Sequence, residues 1–161
     1  MNIVERLTGL RRAMQQLGLD GYVIPSSDPH MSEYVPARFQ AREYMSGFTG
    51  SAGTLVVTEE EGRLYVDGRY ILQAQSQAAG SGLDVHLIGL GQPEPWQFFL
   101  DTLHEGARVG CCAETLSMTE RRDWQQALDQ KGMTLVPGSD LVDALWPGRP
   151  AWPHGEIWEH P

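Results

Sequence analysis

The sequence predicts an α/β fold in which helices are layered on a mixed sheet. Strand-like and helix-like segments alternate through the second half of the chain, which argues for helices packed on a sheet. A strand–turn–strand pair in the middle adds antiparallel pairing, so the sheet is mixed. The 161 residues, 41% of them hydrophobic, suffice for one ordinary core.

Each element has a local reason. Ile3, Leu7, Leu10, Met14 and Leu17 recur at steps of four and three, one face of an amphipathic helix that Gly18 ends. Gly21-Tyr22-Val23-Ile24-Pro25 reads as a short buried strand closed by proline, and Ser26-Ser27-Asp28-Pro29-His30 as a polar turn. The glycine-rich stretch Ser46 to Gly53 leads into a strand over Thr54 to Thr58. Glu59-Glu60-Glu61-Gly62 then turns the chain into a returning strand, Arg63 to Val66. Asp67-Gly68 breaks that strand, with Asp67 placed to cap a helix running through Tyr70, Ile71, Ala74 and Ala78.

Leu83 to Leu90 is the next expected strand. Pro95 opens a helix carrying Trp96, Phe99, Leu100 and Leu103, and Arg108 to Cys112 is a strand. Ser117 and Glu120 have capping-box spacing ahead of a helix with Trp124 and Leu128. Met133 to Val136 is the last strand, and Asp140 caps a final short helix through Leu141 and Leu145. After Trp146, the prolines Pro147, Pro150, Pro153 and Pro161 exclude regular helix and favour an extended segment. The expected division is a domain over 1–146 and a Pro/Trp-rich linker stub over 147–161.

Composition excludes several functions. With 12 Lys+Arg against 21 Asp+Glu, a net charge of −9 argues against nucleic acid and against anionic membrane surfaces, both of which need clustered cations. No stretch approaches the ~20 apolar residues of a membrane span. The opening Met1-Asn2-Ile3-Val4-Glu5-Arg6 puts charge where a secretory signal needs an uninterrupted apolar core. The only cysteines are the adjacent Cys111 and Cys112, which read as two small buried thiols rather than a disulfide scaffold. A reducing compartment, the cytoplasm, is expected.

The glycine run is the loudest local signal, yet it precedes a strand, whereas a phosphate loop follows one and opens a helix. Ser51 lacks the strand–turn–helix setting of a nucleophile elbow, and Thr49 stands where its first glycine belongs. Tight turns and close backbone approach are the simpler use of these glycines. His30, His86, His104, His154 and His160 are scattered and show no metal-ligand spacing. Arg69, at a helix start, gains nothing from the helix dipole. It serves either a surface salt bridge with Asp67 or a carboxylate clamp beside the glycine loop.

Four segments in order resemble the N-terminal domain of the Xaa-Pro aminopeptidases, in the creatinase/prolidase group. They are Ile24-Pro25-Ser26-Ser27-Asp28-Pro29-His30-Met31-Ser32-Glu33-Tyr34, then Ser46-Gly47-Phe48-Thr49-Gly50-Ser51-Ala52-Gly53-Thr54, then Asp67-Gly68-Arg69-Tyr70, and finally Leu141-Val142-Asp143 with Trp146 and Arg149-Pro150. The likeness covers residues 3 to about 150 and is nearest the long, three-domain cytosolic form. It implies a three-layer α/β/α domain with a mixed sheet of ribonuclease-H-like topology. It also implies a parent metallopeptidase that removes the N-terminal residue preceding proline. The metal ions, a pair and usually manganese, would sit in a C-terminal catalytic domain that this chain lacks, held there by Asp, Asp, His, Glu and Glu. No cofactor is expected in this chain, and on its own it is expected to be inactive.

The resemblance further implies that this domain overhangs the catalytic pocket, in some relatives from the partner subunit of a homodimer. His30, Phe48, Arg69 and Tyr70 would then form the pocket rim. The expected partners are a peptide with proline at its second position and the protein's own catalytic domain. A different class of function stays open at this point: a stand-alone ligand-binding or interaction domain on the same fold.

Overall fold

The computed structural model describes residues 1–159; His160 and Pro161 of the tail lie outside the described residues. Six strands form one sheet in the order β4-β3-β2-β1-β5-β6. β1 (Gly21–Pro25), β2 (Thr54–Thr58) and β3 (Gly62–Val66) pair antiparallel in succession. β4 (Asp84–Leu87) lies parallel to β3, while β5 (Arg108–Cys112) and β6 (Thr134–Gly138) run parallel to β1. The sheet is therefore mixed, as the central hairpin requires.

Both faces of the sheet are covered. Successive side chains of a strand point to opposite faces, and the two cores divide accordingly. Tyr22 and Ile24 of β1 join Leu7, Leu10 and Met14 of α1 (Ile3–Gln16), Met45 of α2 (Ala41–Ser46) and Ala74 of α3 (Ile71–Gln77). Val23, Val56 and Tyr65 join Phe98 and Phe99 of α4 (Pro95–Thr102) and Trp124 and Leu128 of α5 (Met118–Leu128). Three layers result. Burial on both faces is why β2 reads as an unbroken Leu-Val-Val run instead of an alternating one. Both cysteines are buried in β5 as free thiols, Cys111 pushed up to about 12 by burial.

Helix ends follow local chemistry. Asn2 and Glu5 close a capping box on α1, and Ser117 and Glu120 close another on α5. α1 ends in a Schellman motif: Leu19 N–H donates to the Met14 carbonyl and Gly18 N–H to that of Gln15, with Gly18 left-handed at φ +60°. Leu17 therefore falls outside the helix and is exposed, although it continues the apolar spacing.

Several expectations shift. β4 stops at Leu87 because Gly89 and Gly91 take positive φ and turn the chain, leaving Leu90 in solvent. β6 begins one residue later than expected and runs on through Pro137, which an edge strand tolerates. Asp67 does not cap α3. Gly68 and Arg69 intervene, so its carboxylate accepts the Arg69 N–H at 2.9 Å and Tyr70 becomes the N-cap without a side-chain bond. The last element, Asp143–Leu145, is a 3-10 turn; Asp140 accepts the Val142 N–H just ahead of it. α2, with the 3-10 turn Ala37–Phe39 before it, has no counterpart in the periodicity reading.

Candidate functional site

The strand register brings three of the quoted segments to one end of the sheet. Pro25 at the end of β1 pairs with Thr54 at the start of β2, and Thr54 pairs with Tyr65 near the end of β3. The loops after β1, before β2 and after β3 therefore emerge side by side. A cleft of about 320 Å³ opens between the first two of them, with Ser26, Glu33, Tyr34, Phe39, Arg42 and Ser51 in its walls.

Arg42, on α2, ties the first two loops together. Its Nε donates to Ser26 Oγ at 2.9 Å, and its Nη atoms donate to the carbonyls of Phe48 and Gly50. Ser26 Oγ in turn donates to the Gly53 carbonyl at 2.7 Å. The guanidinium also lies 4.7 Å from the Phe48 ring centroid. A buried charge needs this full set of partners, and at 4% exposure Arg42 has them. Burial pulls its guanidinium down to about 10, which leaves it charged at neutral pH.

The glycines of the loop answer to space. A Cβ on Gly53 would stand 2.9 Å from the Tyr65 carbonyl oxygen, and one on Gly50 would collide with the Phe48 and Tyr70 rings. Only Gly47 needs a left-handed backbone, at φ +75°, where it ends α2. Close backbone approach thus accounts for the run, and no helix begins on it to face a phosphate.

The four residues expected at a pocket rim are placed unequally. Phe48 is fully buried, 0% exposed, beneath Tyr70, with their rings edge to face at 5.6 Å. Tyr70 sits at the surface, its phenol 2.8 Å from Ser51 Oγ; hydrogen bonds from the Ser51 hydroxyl and N–H, with the Arg69 charge, lower its pKa from the usual tyrosine value. Arg69 is 76% exposed and grips Asp67 with two bonds of 3.1 and 2.8 Å. The Arg69 bonds hold the Asp67 carboxyl below its usual range. His30 is exposed on the loop after β1, and none of the four residues lines the cleft. The structure therefore joins Phe48, Tyr70 and Arg69 and leaves His30 apart on the same end of the sheet.

Two buried polar residues here carry weight that the sequence reading did not assign. One is Arg42. The other is Asp28, whose Oδ1 accepts the N–H groups of His30 and Ser32 at 2.8 and 3.1 Å and so fixes the loop after β1. Burial would raise the Asp28 carboxyl, but these bonds and the Ser32 hydroxyl outweigh it and hold it below the ordinary range. Its contribution to stability is present above the unfolded carboxyl value near pH 4 and fades as pH falls through the lower folded value. Asp28→Asn is expected to cost about 1 kcal/mol at neutral pH and to flatten the acid limb of stability. Urea unfolding of both proteins between neutral pH and about pH 3 checks it, and parallel acid limbs would contradict it.

Among the described residues, no group of His, Cys, Asp and Glu is arranged to hold a metal ion, and no helix is long and apolar enough to cross a membrane. The Creatinase/Prolidase N-terminal domain signature matches residues 6–145. The chain belongs to that family.

Relatives place the family domain more closely. Aminopeptidase P2 of Arabidopsis thaliana is 37% identical over 161 residues, covering 97% of this chain and 23% of its own length. A probable Xaa-Pro aminopeptidase P of Neosartorya fischeri is 37% identical over 164 residues, covering 100% of this chain and 25% of its own length. The crystal structure of the X-prolyl aminopeptidase of Caenorhabditis elegans, described as a cytosolic enzyme with a di-nuclear active site, superposes with a TM-score of 0.84 at 28% identity. That match covers 94% of this chain and 26% of the other. The N-terminal domain of the cytoplasmic peptidase PepQ from Mycobacterium tuberculosis matches with a TM-score of 0.66 at 28% identity, covering 88% of this chain and 98% of that one. The chain thus spans about a quarter of the length of the curated relatives it matches.

Proposed function

We propose that this chain is the N-terminal, non-catalytic domain of an Xaa-Pro aminopeptidase, a metal-dependent hydrolase that releases the residue preceding proline. The observation that carries this is the pairing of whole-chain similarity to aminopeptidases P with coverage of only 23–25% of their length. The greater part of those relatives has no counterpart in these residues. Residues 147–161 lead, in this reading, toward a downstream catalytic domain, and the whole protein works in the cytoplasm, as a homodimer or alone, on peptides with proline second.

A metal-loaded catalytic domain supplies an activated water for attack on the scissile carbonyl. The described residues of this chain do not fit a pair of divalent ions such as manganese, so no ligand and no reaction step is assigned to them. What this chain contributes is shape and charge at the entrance. Tyr70 and the paired Arg69–Asp67 form the exposed rim, Phe48 is the floor that fixes Tyr70, and His30 borders the same end of the sheet. An arginine held by one carboxylate on an exposed turn keeps donors free for a second, which suits the carboxylate end of a short peptide.

Arg69→Ala in the longer protein that carries the catalytic region tests the rim. The expected result is a shift of roughly three- to tenfold in the ratio of kcat/KM between long and short X-Pro peptides, with an unchanged melting temperature because Arg69 packs against little. Identical kinetics across peptide lengths, at unchanged stability, would remove Arg69 from the rim.

A further inference from the structure

The chain after the last 3-10 turn is gripped as it leaves the domain. Trp146 stacks on Tyr44 at 4.4 Å, and the Tyr44 hydroxyl donates to the Leu145 carbonyl at 2.8 Å. Further on, Arg38 donates to the Pro150 carbonyl at 3.0 Å, and the Trp152 ring meets Phe39 edge to face at 5.1 Å. Arg38, Phe39 and Tyr44 all belong to one stretch, the 3-10 turn Ala37–Phe39 and α2 behind it. Residues 146–152 lie past the family signature, which ends at residue 145, so this packing is not part of the matched domain.

The same stretch builds the cleft from its other side. Phe39, Gln40, Arg42 and Glu43 stand in the cleft wall, and Arg42 holds the Phe48 and Gly50 carbonyls of the 47–53 loop. Arg42 and Tyr44 are two positions apart, about 200° around a helix, so one reaches the loop and the other the departing chain. α2 has six residues and no side-chain bond at its N-cap, well short of the roughly 12–15 residues a helix needs to persist alone. Its order comes from what it packs on, and residues 146–152 supply part of that packing.

We infer that Trp146 and Trp152 are positioning residues: by bracing the 37–46 stretch from outside they hold Arg42 and, through it, the 47–53 loop that supports Tyr70. Phe48 is the floor under Tyr70, and Ser51 Oγ lies 2.8 Å from its phenol. The path of the chain out of the domain is thereby tied to the shape of the cleft and of the exposed rim, although neither tryptophan lines the cleft. For peptide binding this rests on the rim reading above; for the order of the loop it does not.

The test uses the longer protein with its catalytic region. Trp152 is 48% exposed and belongs to neither core, so Trp152→Ala leaves both cores intact. Amide exchange over 37–53 is expected to quicken about three- to tenfold in Trp146→Ala and in Trp152→Ala, the loss of one aromatic contact. α4 and α5, on the other face of the sheet, should keep the parent rates. Trp146→Phe and Trp152→Phe keep a ring in each contact and should restore most of the protection. With X-Pro peptides, Trp152→Ala is expected to raise KM about two- to fivefold while kcat stays within about twofold, because binding common to ground and transition states is lost. A residue that only kept the protein folded would lower the active fraction, and with it kcat, and leave KM alone. Quicker exchange confined to 146–152 in a folded Trp152→Ala protein overturns the proposal. So does quickening spread evenly over 37–53, α4 and α5, which is loss of global stability alone. Where 37–53 exchanges faster at the parent KM, Arg69→Ala separates the two ideas. If Arg69→Ala shifts the peptide-length preference, positioning fails and the rim stands. If it is silent too, the rim reading fails and the brace on the loop stands.

Discussion

Phe48→Ala is expected to lower the unfolding free energy by about 3–5 kcal/mol, the cost of emptying a fully enclosed aromatic site. The ring is 0% exposed, meets Tyr70 edge to face at 5.6 Å, and has the Arg42 guanidinium 4.7 Å from its centroid. Collapse of the surroundings is hindered on both sides, since Gly50 presses on the ring from its own loop and Arg42 is pinned to carbonyls of that loop. The cavity therefore stays largely open. For a chain of this length each kcal/mol moves the melting temperature by roughly 2–4 °C, so a fall on the order of 10 °C is expected in a thermal melt. Phe48→Leu, which keeps most of the volume, should cost only about 1–2 kcal/mol. A loss of under about 1 kcal/mol for the alanine variant in urea unfolding would mean that the 46–53 loop refills the site and that Tyr70 does not depend on this floor.

The same ring shows where sequence reasoning reaches and where it stops. Phe48 stands out because it is a large aromatic set among glycines, yet nothing in its neighbours says whether it faces outward or inward; only the register of β1, β2 and β3 folds Tyr70 over it. The strands themselves were legible for a physical reason. A strand buried on both faces must be apolar throughout, and Leu55-Val56-Val57 or Val109-Gly110-Cys111-Cys112 admits little else. Capping boxes are equally direct, because Ser117 and Glu120 satisfy each other's helix ends through a fixed spacing. α2 escaped because six residues span under two turns and because one of its buried positions is an arginine. Hydrophobic periodicity counts apolar side chains, and a guanidinium whose charge is met by carbonyls elsewhere in the chain is invisible to it. Asp67 shows the opposite error: a good capping residue three positions early closes a turn on Arg69 instead of starting the helix. Of the two roles open to Arg69, the pairing with Asp67 is present, and an exposed pair of this kind still leaves guanidinium donors for a ligand.

Arg149→Ala is the second large effect, expected to cost about 3 kcal/mol because it leaves a partly buried carboxylate without its partner. The proline-rich stretch after Trp146 reads as an extended segment, and its first residues lie against the domain. Trp146 stacks on Tyr44 with ring centroids 4.4 Å apart, and Arg6 sits 4.1 Å from the Tyr44 ring on α2. Arg149, 7% exposed, reaches Asp140 at 2.7 Å and Asp143 at 3.0 Å and donates through Nε to the Arg38 carbonyl at 2.8 Å. Arg38 returns the grip, with a bond to the Pro150 carbonyl at 3.0 Å and its guanidinium 5.3 Å from the Trp152 ring, which also meets Phe39 edge to face. These pieces interlock, so losing Arg149 should free Pro150 and Trp152 together and expose the segment after Trp146 to limited proteolysis. Arg149→Lys keeps the charge but cannot serve Asp140, Asp143 and a carbonyl at once, so it should recover only part of the loss. A melting temperature within about 1 °C of the parent for Arg149→Ala, smaller than the shift expected per kcal/mol, would show that Trp146 and Trp152 hold the segment without the ion pairs. In that case Trp152→Ala, and not Arg149→Ala, should release it.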